Sequence, residues 1–334
     1  NAIRSVEDIK FNPIKENIEI LGEAFDTLYI EQLKSLSLSP AIISKHKDYK
    51  IVYTPIHGTG VKLVPETLKA FGFSNVYNVP EQDVVDGNFP TVHSPNPENA
   101  DALEPAIQKA KEVGADLVMA TDPDSDRVGI AVRDTNDEIV LLNGNQTAAV
   151  LIYYLIKYRI DNKLLKGNEY IVKTIVTTEL LADIASKYGI EYYDTLTGFK
   201  YIAGIIKENE GKKLFIGGGE ESYGYLAGEF VRDKDAVMSA ALIAEAAVWG
   251  EETGKSFYEL LIDIYVEFGL YKEVLVNIVK KGKKGADEIQ QMMADLRSKP
   301  PKTLAGAKVI QIKDYQLQQD ENLVTETIEP ITLP

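Results

Sequence analysis

Cysteine is absent from the 334 residues. That removes disulfide bridges, thiolate metal sites and cysteine nucleophiles together, and it suits a reducing compartment, so a cytoplasmic location is expected. No uninterrupted apolar run approaches the roughly 20 residues that a bilayer span requires. The opening NAIRSVEDIK lacks the basic-then-apolar plan of a signal peptide, so no membrane partner is expected. Positive charge is scarce: 36 Lys and Arg against 51 Asp and Glu leave a net charge of -15, with no basic stripe, which argues against nucleic acid as a partner. An initiator methionine is missing as well, and neither Asn1 nor Pro334 carries a capping or tail signal. An excised piece of a longer chain is the expectation.

What is present has the composition of an ordinary globular protein, 45% hydrophobic and long enough at 334 residues for two or three compact units. From Tyr49 a short apolar run, a glycine turn (HGTG) and a helical stretch from Val61 to Phe71 lead to a second strand at Asn75 to Asn78, an α/β unit. A Pro- and Asn-rich loop follows, then a helix over Ala100 to Val113, the strand DLVMAT, the loop DPDSDR and the strand VGIAV. The acidic loop thus lies at a strand's carboxyl end, where open α/β sheets gather ligands. A second unit opens near Ile139, with a helix over Asn145 to Tyr158, the strand YIVKTI, the helix TELLADIASKYG, a strand at Glu191 and the loop TLTGFK. KLFIGG then leads into GEESYGYL, and two long helices run from Asp235 to about Phe268. After Tyr271 the pattern becomes α+β: a strand EVLVNIV, a helix over Ala286 to Arg297 and short strands near Lys308 and Leu323.

Asp122, Asp124 and Asp126 alternate on one tight loop, where their oxygens can converge on a hard divalent cation and would otherwise repel one another. An EF-hand is excluded, because Arg127 and Arg133 occupy the positions that need Gly and Glu. The bland alternative is a solvated acidic turn. GEESYG places Glu220, Glu221 and Ser222 on one turn, able to accept and donate hydrogen bonds to adjacent hydroxyls; a surface turn with two solvated glutamates is the alternative. Lys234 lies between Asp233 and Asp235, which tend to hold it charged.

TDPDSDR resembles the magnesium loop of the α-D-phosphohexomutases, the phosphoglucomutase/phosphomannomutase family. Four further segments match that family in its own order: TPIHGTG at Thr54, TLTGFK at Thr195, GGEESYGYL at Gly218 and VRDKDA at Val231. The resemblance covers nearly the whole chain. It implies an α/β fold class: two consecutive α/β domains with mixed sheets, the family's domain 2 over residues 1–139 and domain 3 over 140–267, then a truncated α+β start of domain 4 over 268–334. It assigns Asp122, Asp124 and Asp126 to Mg2+, Arg127 to the transferring phosphoryl group and Lys234 to general acid/base work. Glu220 and Ser222 become sugar readers, Thr197, Gly198 and Lys200 a loop over the sugar phosphate, and His57 a residue lining the site.

The implied reaction moves phosphate between C1 and C6 of a hexose phosphate through an enzyme phosphoserine and glucose 1,6-bisphosphate, in a monomer or homodimer. GEESYG looks more like the glucose-preferring branch than the Gly-Glu-Met-Ser-Gly type, with mannose phosphate left open. His93-Ser94-Pro95-Asn96-Pro97 has the wrong order for the family's phosphoserine motif and resembles its ordinary domain-two loop, and no other segment matches Ser-His-Asn-Pro. The catalytic serine is therefore expected to be missing and the 334 residues to be inactive by themselves. The rivals are a magnesium- and phosphosugar-binding module without chemistry, and a metal-dependent sugar phosphatase, in which Arg127 and GEESYG would have no place.

Overall fold

In the computed structural model, residues 3–274, 278–331 and Leu333 are described. The sequence reading places no helix or strand before Tyr49, yet two α-helices lie there, α1 (Glu23–Lys34) and α2 (Pro40–Lys45). The first sheet comprises β1 (Lys50–Thr54), β2 (Asn75–Asn78), β3 (Leu117–Thr121), β4 (Val128–Arg133) and β5 (Ile139–Leu142), with α3 (Gly60–Phe71) and α4 (Ala100–Val113) between its strands. Its order is β2-β1-β3-β4-β5; β1 runs parallel to β2 and β3, while β3, β4 and β5 are successively antiparallel. The run LVMAT of β3 is buried at every position, as expected of a central strand covered on both faces.

Ile139 does not open the second unit: Ile139 to Leu142 pair with β4, so the first sheet continues through Leu142. The unit starts instead at Asn143, which caps α5 (Gly144–Asp161) by accepting from the Gln146 amide at 2.8 Å while Gln146 Oε1 accepts from the Asn143 amide at 3.0 Å. That reciprocal cap satisfies two helix-end donors at once.

The second sheet comprises β6 (Glu169–Thr174), β7 (Glu191–Thr195), β8 (Leu214–Gly219) and β9 (Tyr225–Leu226), interleaved with α6 (Leu180–Lys187) and α7 (Phe199–Asn209). Its order is β7-β6-β8-β9, parallel except for the antiparallel β8/β9 pair. Both sheets are thus mixed, and each ends a parallel run with an antiparallel hairpin. Helices α8 (Ala236–Glu252) and α9 (Phe257–Phe268) follow. The alanine-rich α8 is apolar all round, which marks a helix buried on every side. It packs on α2, α3, β3 and β4 of the first unit as well as on α5, α9 and β9, and one continuous core runs through both units.

Beyond Phe268 lie α10 (Gly282–Ser298), the two-stranded sheet β10 (Thr303–Leu304) and β11 (Ala307–Lys308), and an antiparallel sheet of β12 (Gln311–Asp314), β13 (Gln319–Asn322) and β14 (Thr327–Pro330). The strand expected at EVLVNIV falls partly on residues 275–277, outside the described residues, and its described flanks are not in a strand. Among the described residues no helix is long and apolar enough to cross a membrane.

Candidate active site

The two segments singled out by their motifs are the tips of the two hairpins. Thr121 pairs with Val128, so residues 122–127 form the β3–β4 tip, and Gly219 pairs with Tyr225, so residues 220–224 form the β8–β9 tip. The tips meet: the Val128 amide donates to the Tyr223 carbonyl at 3.0 Å.

The first tip is folded around Asp122, whose Oδ1 accepts from the amides of Asp126 (3.1 Å) and Arg127 (3.0 Å). Ser125 takes the left-handed conformation, φ 59°, which turns the chain sharply enough to alternate the carboxylates. Ligand atoms of Asp122, Asp124 and Asp126 lie within 4.8 Å of one another. Burial first, and then the charges of Asp126 and Asp124, push the Asp122 carboxyl up to about 7 against the opposing pull of the Arg127 amide. Three acidic oxygen donors suit a hard cation such as Mg2+, and Asp126 Oδ1 is buried with no hydrogen-bond partner, so the donor set fits.

Arg127 and Lys234 balance this charge. Arg127 Nε is 3.6 Å from Asp122 Oδ2 and 3.5 Å from Asp126 Oδ1, and its Nη1 is 4.0 Å from Glu98 Oε1. The Lys234 ammonium, from the second unit, is 2.8 Å from Asp126 Oδ2 and 3.9 Å from Glu220 Oε2. Its stem crosses Gly224, where any Cβ would overlap the Lys234 Cδ, so the glycine is what lets the lysine lie along the second tip. Glu220 is buried, and its Oε1 accepts the Gly198 amide at 3.0 Å, which ties the TLTG loop to the second tip. Gly198 has φ 122°, a conformation that favours glycine. Ser222 is half-buried on the tip, while Thr197 and Lys200 are exposed, the Lys200 ammonium lying 4.9 Å from the centre of the Tyr201 ring.

His57 lies in the turn that precedes α3 and touches the aspartate tip. Ile56 and His57 both have positive φ, 46° and 62°, a costly backbone for a β-branched residue. The turn is held by the ring itself, Nδ1 against the Val84 carbonyl (3.0 Å) and Nε2 against Thr91 Oγ1 (2.9 Å), so both nitrogens are engaged within the loop. The turn in turn grips the aspartate tip, with the Thr59 amide donating to the Pro123 carbonyl at 2.8 Å.

Sequence reasoning missed Glu98 and Lys173, and it named Glu221 only as part of its turn, without a partner. Glu98, inside the PNPEN stretch, faces Arg127, and burial raises its carboxyl, with the Arg127 charge opposing and the Glu221 charge adding. Glu221 Oε2 accepts from the Thr174 hydroxyl at 3.3 Å. Lys173, wholly buried at the end of β6, lies 2.8 Å from Asp194 and 3.0 Å from Glu179 at the root of the TLTG loop. For Lys173 the visible signal was a lysine inside an otherwise apolar strand run.

Residues 27–135 match the family model for phosphoglucomutase/phosphomannomutase α/β/α domain II, and residues 143–268 match that for domain III. A phosphoglucomutase of Staphylococcus haemolyticus (strain JCSC1435) is 36% identical over 327 residues, covering 98% of this chain and 58% of its own length. One from Staphylococcus aureus (strain MRSA252) is 38% identical over 287 residues, 86% of this chain and 51% of its own. The chain therefore spans little more than half the length of these relatives. Among solved structures, a putative phosphomannomutase from Thermus thermophilus aligns with a TM-score of 0.60 at 24% identity, over 77% of this chain and 55% of that one. The phosphoglucomutase pp63/parafusin of Paramecium, in an open form, aligns with a TM-score of 0.60 at 18% identity, over 92% of this chain and 51% of that one. At such identities the structures speak for the fold alone.

Proposed function

The chain belongs to the phosphoglucomutase/phosphomannomutase family, and from that premise we propose that it supplies the metal- and sugar-binding half of an enzyme that moves phosphate between C1 and C6 of a hexose phosphate. The observation that carries the reading is the meeting of the two tips: Lys234 reaches from one unit to 2.8 Å from Asp126 in the other and stays within 3.9 Å of Glu220. A metal loop, a proton carrier and a sugar reader thereby share one small space.

In this reading Asp122, Asp124 and Asp126 hold Mg2+, which when bound supplies positive charge to the phosphoryl oxygens. Arg127, a fixed guanidinium at the same tip, stabilises charge on the phosphoryl group in flight. Lys234 exchanges the proton of the attacking or leaving sugar hydroxyl at its Nζ, and Asp126 keeps that ammonium aimed. Glu220 spends one oxygen on the Gly198 amide and offers the other, with the Ser222 hydroxyl, to neighbouring sugar hydroxyls. Thr197, Gly198 and Lys200 form a loop over the sugar phosphate, and His57 sets the turn that supports the metal loop. Glucose 1,6-bisphosphate is the intermediate that reverses its orientation between the two transfers, and glucose phosphate is the preferred substrate on the form of GEESYG.

The phosphoryl carrier is a serine outside these residues, since no Ser-His-Asn-Pro segment occurs among them. The test is conversion of glucose 1-phosphate to glucose 6-phosphate with Mg2+ and a trace of the bisphosphate. It is run on the 334 residues alone, on the same chain joined to a segment bearing that serine, and on the joined chain carrying D124N. Turnover by the joined chain only, lost in D124N, is expected. Release of inorganic phosphate without isomerisation would replace the mutase with a phosphatase.

A further inference from the structure

Tyr29 is on α1, 206 residues before the acid whose Oδ2 accepts its hydroxyl hydrogen at 2.6 Å, Asp235. Asp235 is the N-cap of α8 and the immediate neighbour of Lys234. Only 6% of its surface is exposed, and its other oxygen accepts the Met238 amide at 2.9 Å, so each oxygen has one side-chain or cap partner. The cap is wedged between the two hairpin tips: the Asp235 amide donates to the Tyr225 carbonyl and the Ala236 amide to the Ser125 carbonyl, both at 3.1 Å. From this point Lys234 runs across Gly224 to Asp126. The position of the ammonium therefore depends on the position of the cap.

Two features separate this contact from simple packing of α1. The ring of Tyr29 already has an edge-on neighbour in Phe230, at 6.5 Å between centroids, and α1 has a second tie through the Asp26–Lys62 ion pair at 2.7 Å. The helix thus has ties that do not involve the hydroxyl, whereas the hydroxyl is the partner of a buried carboxylate oxygen, and an oxygen stripped of its partner in such a place is driven to move toward water.

We propose that Tyr29 is a positioning residue for Lys234: its hydroxyl, acting through the Asp235 cap, fixes where the Lys234 ammonium sits between the two tips. What Lys234 does there rests on the mutase reading; where it lies does not.

The experiment uses Y29F in the full 334-residue chain, which keeps the ring and its contact with Phe230. Hydrogen exchange read by mass spectrometry over residues 233–240 is expected to rise about tenfold, the scale of losing one buried polar partner. Acetylation of Lys234 is expected to quicken in step, with Lys157 and Lys213 unchanged. Unchanged exchange over 233–240, or a rise confined to residues 23–34, would overturn the proposal and leave Tyr29 as a packing residue. Neither readout needs turnover, so a failed mutase assay leaves this result standing and the converse also holds.

Discussion

Glu245 on α8 is fully buried, and one of its oxygens accepts the Ser37 hydroxyl at 2.9 Å, the Ser39 hydroxyl at 3.0 Å and the Ser39 amide, while the other has no partner. Burial is the main cause that holds its carboxyl above the ordinary glutamate value of 4.5, against the lowering pull of those serines. A folded-state value above the unfolded one means that protonation favours folding: this stability is fully present below the unfolded value and lost as pH rises through the raised one. E245Q keeps the accepting oxygen and removes the charge. Thermal melts are expected to show the smallest difference between wild type and variant below pH 4.5 and a variant that gains on wild type as pH rises toward 8. Equal pH slopes would show that Glu245 titrates normally. None of this was legible in the sequence, where a lone glutamate in an alanine-rich helix looks like a solvent-facing position. The convergence of Asp122, Asp124 and Asp126 was legible, because acids alternating on one tight turn bring their oxygens together. Lys234 needed the family, since one lysine between two aspartates is ordinarily a surface charge, and Tyr29 gave no sign because its partner is so distant in the chain.

At the scale of elements, most strands and helices from Lys50 to Phe268 stand where the apolar pattern puts them, the helix over Ala100 to Val113 among them, whereas α7 was read only as the loop TLTGFK before a strand. The reading failed where topology decides: IVLL looks the same whether it closes one sheet or opens the next, and only its pairing with β4 settles the matter. The start of α5 then carries a constraint that no pattern announces. A Cβ on Gly144 would overlap the Glu221 carbonyl oxygen, and the Tyr225 hydroxyl donates to the Gly144 carbonyl at 2.8 Å. The helix thus abuts the backbone of the second hairpin tip. G144A is expected to cost about 1–3 kcal/mol, the usual range for overpacking a closed contact. Chemical denaturation should show the midpoint falling with an unchanged slope; a midpoint equal to wild type would mean that the tip yields freely.

For the whole molecule, stability is concentrated before Phe268. Of the described residues beyond it only Gly285 is buried, and the apolar face of α10 is open, with Met293 and Leu296 each 53% exposed. A chain ending at Phe268 is therefore expected to melt in one transition within about 3 °C of the full-length value, since little buried area is lost. A large drop, or two transitions, would show that the C-terminal part braces the rest. The single transition follows from α8, which lies within the core of both α/β units. A helix held in common leaves no seam along which the units could swing apart, because a hinge there would have to open apolar contacts to water. The wall that carries Asp126, Lys234 and Glu220 is accordingly one solid piece. On the proposed reading a ligand turns over against a stationary surface, and the parts that admit or retain it lie outside these two units.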